Sequence, residues 1–186
     1  MYGMSGHTIV ALALVLGSST AAFAQTADTP FQVRFATKLK KNDAIHIVNT
    51  GANGASIATP QTGSICAYVY AFAPSGTMLD CCSCGLRPNS LASLSIAQDV
   101  LGGRKPIPKD VVLKVLSTRG TGTNPIVCNA AAAGNEAISV GMVAWKGDAQ
   151  FTPATLSAGE LLVLTSTCQF LHVTANVCAA CRPPAE

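Results

Sequence analysis

The stretch Leu79–Gly85, LDCCSCG, places Cys81, Cys82 and Cys84 within four positions. With Cys66, Cys128, Cys168, Cys178 and Cys181 they make an even total of eight. Sulfur atoms this dense join one another, hold a metal or carry redox chemistry. Each use requires its own compartment and its own local geometry.

The N-terminus speaks to the compartment. Residues 1–24, MYGMSGHTIVALALVLGSSTAAFA, have the pattern of a secretory signal peptide: a short polar start, an apolar run from Ile9 to Leu16, and a small-residue Ala22-Phe23-Ala24 cleavage site. The start carries no Lys or Arg, only the terminal amine and His7. The apolar run is shorter than the roughly 20 residues that cross a bilayer, and no second run of that length follows. The expected mature chain is therefore residues 25–186, one disulfide-stabilised β-rich domain without a membrane span, secreted or periplasmic, with a signal of bacterial style.

In an oxidising space all eight cysteines are disulfide candidates, although on the order of a hundred pairings are open to them. Neighbouring side chains of an extended segment point to opposite faces, so Cys81 and Cys82 should serve different partners, one toward the core and one outward. Cys178 and Cys181 in VCAAC can pair locally, or one can reach back to the CCSC turn. The long-range bond is favoured, because closing a loop of about 100 residues restricts the unfolded chain by a nominal 4 to 5 kcal/mol. Cys168 is expected to tie a helix to the sheet, with Cys128 or Cys66 as partner.

Two sharper uses compete. Four thiolates in two close pairs, CxC or CxxC followed by Cys178-x-x-Cys181, roughly satisfy zinc arithmetic, but disulfide formation competes for the same sulfurs. A redox CxxC needs a helix start after a strand, where the dipole lowers the thiol pKa. VCAAC instead follows a helical pattern and runs into Arg182-Pro183-Pro184.

Short apolar runs separated by Gly, Pro, Asn and Ser clusters predict an all-β, antiparallel, sandwich-like fold. Strands are expected at Phe31–Leu39, with Phe31, Val33 and Phe35 on one face, and at Ala44–Asn49, Ile65–Phe72, Thr77–Cys82, Leu91–Ile96, Val111–Leu116 and Ala137–Trp145. Tyr68, Tyr70 and Phe72 share a face with Cys66 at period two. Gly51 and Gly54 suit a turn with positive φ. One C-terminal α-helix is announced by Ser157-Ala-Gly-Glu160, a capping box, followed by Leu161, Leu164, Cys168 and Leu171 at helical spacing, with Leu162 widening the stripe.

Charged residues are 11% of the chain and the net charge is +3, whereas a typical domain carries about 25%. So sparse a charge excludes a nucleic-acid binder, which draws its affinity from dense Lys and Arg. The one basic cluster, Lys38, Lys40 and Lys41, reads as a solvated strand end. His46 in AIHIV reads as a solvent-facing strand residue, and His172 as a cation at a helix C-terminus. Asp28, Asp43, Asp80, Asp99, Asp110, Asp148, Glu136, Glu160 and Glu186 occur singly. No GxSxG, HExxH, calcium-loop or phosphate-loop motif appears. Trp145 is expected in the core.

These features point to a non-catalytic structural or binding module of the cell envelope or extracellular space, without cofactor. It would meet copies of itself, an envelope protein or a polysaccharide through loops or strand edges. The alternatives are a hydrolase built from His46 and scattered carboxylates, and a thiolate zinc protein.

Overall fold

The computed structural model describes residues 29–56, 58–59, 62–121, 126–172 and 176–182. The signal-like segment 1–24, Asp28, Glu186 and the Pro183-Pro184 pair lie outside them. The described chain runs through strands β1 (Phe31–Ala36), β2 (Ala44–Asn49), β3 (Ile65–Phe72), β4 (Met78–Leu86), β5 (Leu91–Ser95), β6 (Val111–Arg119), β7 (Met142–Lys146), β8 (Ala149–Gln150) and β9 (Thr152–Pro153), then helix α1 (Ala158–Leu171). A π-helical turn, Ile96–Val100, follows β5, and 3-10 turns cover Ala130–Asn135 and Ala179–Cys181.

The strands form two antiparallel sheets, one in the order β4-β3-β6-β1-β9 and one in the order β5-β2-β7-β8. Period two divides the first sheet between two cores. Ile65, Ala67, Val69 and Ala71 of β3 join Val111, Leu113 and Val115 of β6 and meet Ile45, Ile47, Leu94 and Met142 of the second sheet. On the opposite face Cys66, Tyr68, Tyr70 and Phe72 meet Leu116, Ala130, Ala133 and Leu164 under α1. Every residue of β3 is consequently buried, in the expected arrangement of Cys66 with the three aromatic rings.

The second sheet keeps one face on the core and one bare, so β2 alternates between buried and half-buried residues along its length. The turn after it uses Gly51 and Gly54 at φ 80° and 91°. Lys38, Lys40 and Lys41 are exposed at the β1–β2 connection, as a solvated strand end should be.

Several expectations change. The CCSC segment is not a turn: β4 continues through it to Leu86, paired residue by residue with β3. The strand expected from Ala137 begins at Met142, and Ile138 makes only an isolated bridge to Thr118. β1 ends at Ala36, and Phe35, unlike Phe31 and Val33 on the same face, lies outside the second core and is 54% exposed.

α1 begins as predicted, with Ser157 Oγ accepting from Glu160 N at 3.1 Å. The Glu160 side chain does not return to the cap, because Lys114 Nζ lies 2.5 Å from Oε1 and offers a charge-assisted bond instead. The buried stripe is Leu164 and Cys168. Leu171, expected in the stripe, is 37% exposed, and Leu162, expected to widen it, is 67% exposed, so neither joins it.

Candidate functional site

All eight cysteines are paired: Cys66–Cys128, Cys81–Cys168, Cys82–Cys178 and Cys84–Cys181. Each bond takes one sulfur from β3 or β4. Cys66 and Cys81 face the helix layer and Cys82 and Cys84 the inter-sheet core. Cys81 and Cys82 thus serve different partners, but neither points to solvent, because both faces of their sheet are covered. Cys168 ties helix to sheet as expected, through Cys81 and not through Cys66 or Cys128, which bond each other. Cys178 and Cys181 do not pair locally; both reach back to β4. The sulfurs that matched a zinc arithmetic, those of Cys81, Cys82, Cys84, Cys178 and Cys181, are therefore all consumed in disulfides.

The C-terminal segment is also hydrogen-bonded along the β4 edge. Ser83 N donates to Asn176 O at 2.9 Å, Cys178 N donates to Ser83 O at 3.0 Å, and Asn176 Nδ2 donates to Cys81 O at 2.7 Å. His172 caps α1, and its Nε2 sits 2.7 Å from Asp80 Oδ1. Asp80, Cys81 and His172 offer ligand-type atoms within 4.8 Å of one another. The Cys81 sulfur is bonded to Cys168 and is no thiolate.

The groups nominated for catalysis are dispersed into structural bonds. His46 projects from the outer face of the second sheet, where Nδ1 lies 2.9 Å from Ser93 Oγ and the ring stacks on Trp145 at 5.4 Å. Trp145 is accordingly half-buried on that outer face and not in the core: Met142 and Ala144 take the inward positions of β7, and period two sends Trp145 the other way. Lys146 lies 3.1 Å from Asp43. Burial works to raise the Asp43 carboxyl, but the Lys40 amide and the Lys146 ammonium outweigh it and hold it below the ordinary range.

Most of the remaining described carboxylates are similarly occupied. Asp99 accepts from Ser95 N and Ala180 N, and Asp110 accepts from Lys38 N. Glu136 accepts from the Tyr68 hydroxyl at 2.5 Å and from Thr118. Burial, reinforced by Glu136, pushes the Tyr68 hydroxyl far above the ordinary tyrosine range, and Tyr70 moves the same way for the same reasons. Asp148 is exposed in the β7–β8 turn. Among the described residues, no carboxylate pairs with His46.

A concave feature lies elsewhere, on the flank where β4 and β5 end their respective sheets. A groove of about 590 Å³ runs there, walled by Leu86, Leu91, Ile126, Val127 and Val177 and by the Cys84–Cys181 bond. Its size falls within the roughly 300 to 1,000 Å³ usual for ligand sites. Leu91 and Val127 stand 55% and 61% exposed in it. Gly85 shapes the wall: a Cβ there would come within 2.7 Å of Ile126 Cβ, so only glycine lets the segment approaching Cys128 lie against β4.

None of these lining residues was nominated from the sequence except the cysteines. The only local signals were the glycine after CCSC and the alternation of LASLS. Comparison with protein-family models, with curated proteins and with solved structures returned no match for this chain.

Proposed function

We propose that this chain is a secreted or periplasmic, non-catalytic binding or structural module of the cell envelope or extracellular space, with the β4/β5 flank groove as its contact site. The observation that carries the reading is that groove: a largely apolar concavity with two exposed aliphatic side chains, one wall of which is β4, a strand anchored by three disulfides. Disulfides in this number suit an oxidising compartment, and no helix among the described residues is long and apolar enough to cross a membrane. A rigid frame lowers the ordering cost of binding, because little conformational freedom remains to be lost.

Expressing the full chain with its leader in a bacterial host tests the compartment. The expected product is found outside the cytosol, lacks residues 1–24, and weighs two protons less per disulfide than its reduced form. A full-length cytosolic protein with free thiols overturns it. For the site, the mature protein is applied to peptide and glycan arrays beside Val127→Asp and Trp145→Ala. Binding lost in the first and kept in the second supports the groove, and the reverse pattern rejects it.

A second reading, packing against copies of itself, rests on α1. Its outward residues Leu162, Val163 and Phe170 are 67%, 52% and 86% exposed, and Glu160 is the only charge in the helix. Light scattering at high concentration decides it: a particle that stays monomeric excludes this reading.

A further inference from the structure

We propose that the end of the sandwich formed by the β1–β2 connection and the connection leading into β6 is a docking surface for an acidic polysaccharide, one whose sugar rings carry carboxylates. It shares no lining residue with the groove and does not depend on it. The charge distribution carries the inference. Residues 37–43 and 102–110 hold six of the chain's twelve Lys and Arg, namely Lys38, Lys40, Lys41, Arg104, Lys105 and Lys109, against two of its nine carboxylates, Asp43 and Asp110. All six cations are exposed. The remaining six are matched by seven carboxylates, so the positive charge of the whole chain is concentrated here.

The fold brings the two segments together. Ala36, the last residue of β1, pairs with Val111, the first of β6, so the chain leaving one strand lies beside the chain entering the other. Leu39 N donates to Lys109 O at 2.8 Å, and Lys38 N donates to Asp110 Oδ1 at 3.1 Å. Lys38 adopts φ 52° there, a left-handed conformation uncommon for a residue with a side chain, and the bond to Asp110 helps to hold it.

Nearby carboxylates do not cancel the cations. Asp43 is engaged by Lys40 N and by the Lys146 ammonium, and Asp110 by Lys38 N. Asp80, beside Gly102, is paired with His172, and Asp99 accepts from Ser95 N and Ala180 N. The adjoining β7–β8 turn adds Lys146 and Asp148, one charge of each sign. Among the described residues none of the five lysines makes a side-chain ion pair, and Arg104 gives one N–H to Leu79 O. Like charges crowded in this way repel one another, and a bound polyanion relieves that repulsion.

Two features choose the polyanion. Five of the six cations are lysines, compact charges on flexible stems, which suit a polymer whose charges recur at varied distances. Each contact is weak alone, and one polymer adds them together. Phe35, three positions before Lys38, stands 54% exposed and offers a ring against which the C–H face of a sugar packs. Across residues 29–43 and 101–112 it is the only large apolar side chain so exposed. That is too little for a bilayer surface, which takes up a whole apolar face.

The test titrates the mature protein by calorimetry with polygalacturonate, neutral dextran, polyglutamate of matched charge, and vesicles containing phosphatidylglycerol. Polygalacturonate should bind and dextran should not, and raising NaCl from about 0.05 M to about 0.5 M should weaken binding about tenfold. Lys41→Glu and Lys109→Glu, one from each segment, should each weaken it about tenfold. Arg119→Glu, an equal change in net charge at the far end of β6, should alter it less than about twofold. Phe35→Ala should bring polygalacturonate down to the level of polyglutamate. The salt series and the comparison of polymers need no variant, so misfolding of a variant would not blunt the test.

Absence of polygalacturonate binding overturns the proposal. Equal weakening by all three charge reversals also overturns it, since net charge alone is then at work. Polyglutamate binding as tightly as polygalacturonate overturns it in favour of an acidic protein segment. Vesicle binding that polygalacturonate fails to displace overturns it in favour of a membrane surface.

Discussion

The two sheets share a strand geometry and differ in what covers them. The first is buried on both faces, between the second sheet and α1, and every disulfide has an end in it. The second has one face on the core, one bare face carrying His46 and Trp145, and no disulfide. The difference shows how a weakly charged chain of this size divides its work. One sheet is the cross-linked frame; the other is held by packing and leaves one face uncovered among the described residues.

Cutting a cross-link should separate the two sheets most sharply. Cys81→Ala with Cys168→Ala removes a bond spanning 87 positions and should cost about 4 kcal/mol in guanidinium unfolding. Hydrogen exchange should show α1 loosening first while β2 and β7 keep their protection. Equal loosening of both sheets would erase the contrast.

A side-chain pair repeats the comparison at smaller scale. Leu164→Ala empties a fully buried site between α1 and the first sheet and should cost about 3 kcal/mol. Val143→Ala, on the bare face of the second sheet, should cost less than about 1 kcal/mol. Thermal melts of the two variants, measured side by side, check the ranking.

Titration distinguishes the sheets by sign. Tyr68 and Tyr70 ionise in the folded state only well above the ordinary value of 10.0. The unfolded chain therefore loses protons first, and stability should fall as pH rises past that value. Tyr68→Phe with Tyr70→Phe should flatten this alkaline loss in denaturant melts.

The smallest effect belongs to the second sheet. The lowered Asp43 carboxyl contributes stability present above its unfolded value of 3.8 and lost as pH falls through its folded value. Half-buried beside the Lys146 ammonium at the rim of the sheet, it should move the acid melting curve only slightly, and Asp43→Asn should remove that shift.

Much of this architecture was legible from local pattern. Ala44–Asn49 and Ile65–Phe72 are strands from end to end as their β-branched and aromatic runs predict. Ser157 caps the helix because its hydroxyl reaches an orphan N–H three residues on, a purely local contact. The row of Cys66, Tyr68, Tyr70 and Phe72 follows from period two alone.

Misplaced features all depend on distant chain. Trp145 alternates correctly with Ala144, but periodicity does not say which face of a strand meets the core. Glu160 had the right spacing to close its cap and was drawn off by Lys114, 46 positions away. The groove pairs Leu86 and Leu91 with Val127 and Val177, segments with no sequence relation to one another.

By itself the sequence determined the class of fold, the positions of most strands, the helix start and the opposed directions of Cys81 and Cys82, because steric preference and alternation act between near neighbours. Which sulfur met which, which faces were covered, and that β4 and β5 end side by side around a cavity were decided only in three dimensions. A disulfide needs two Cα atoms within about 7 Å, and only the stacking of sheet, helix and tail creates that proximity.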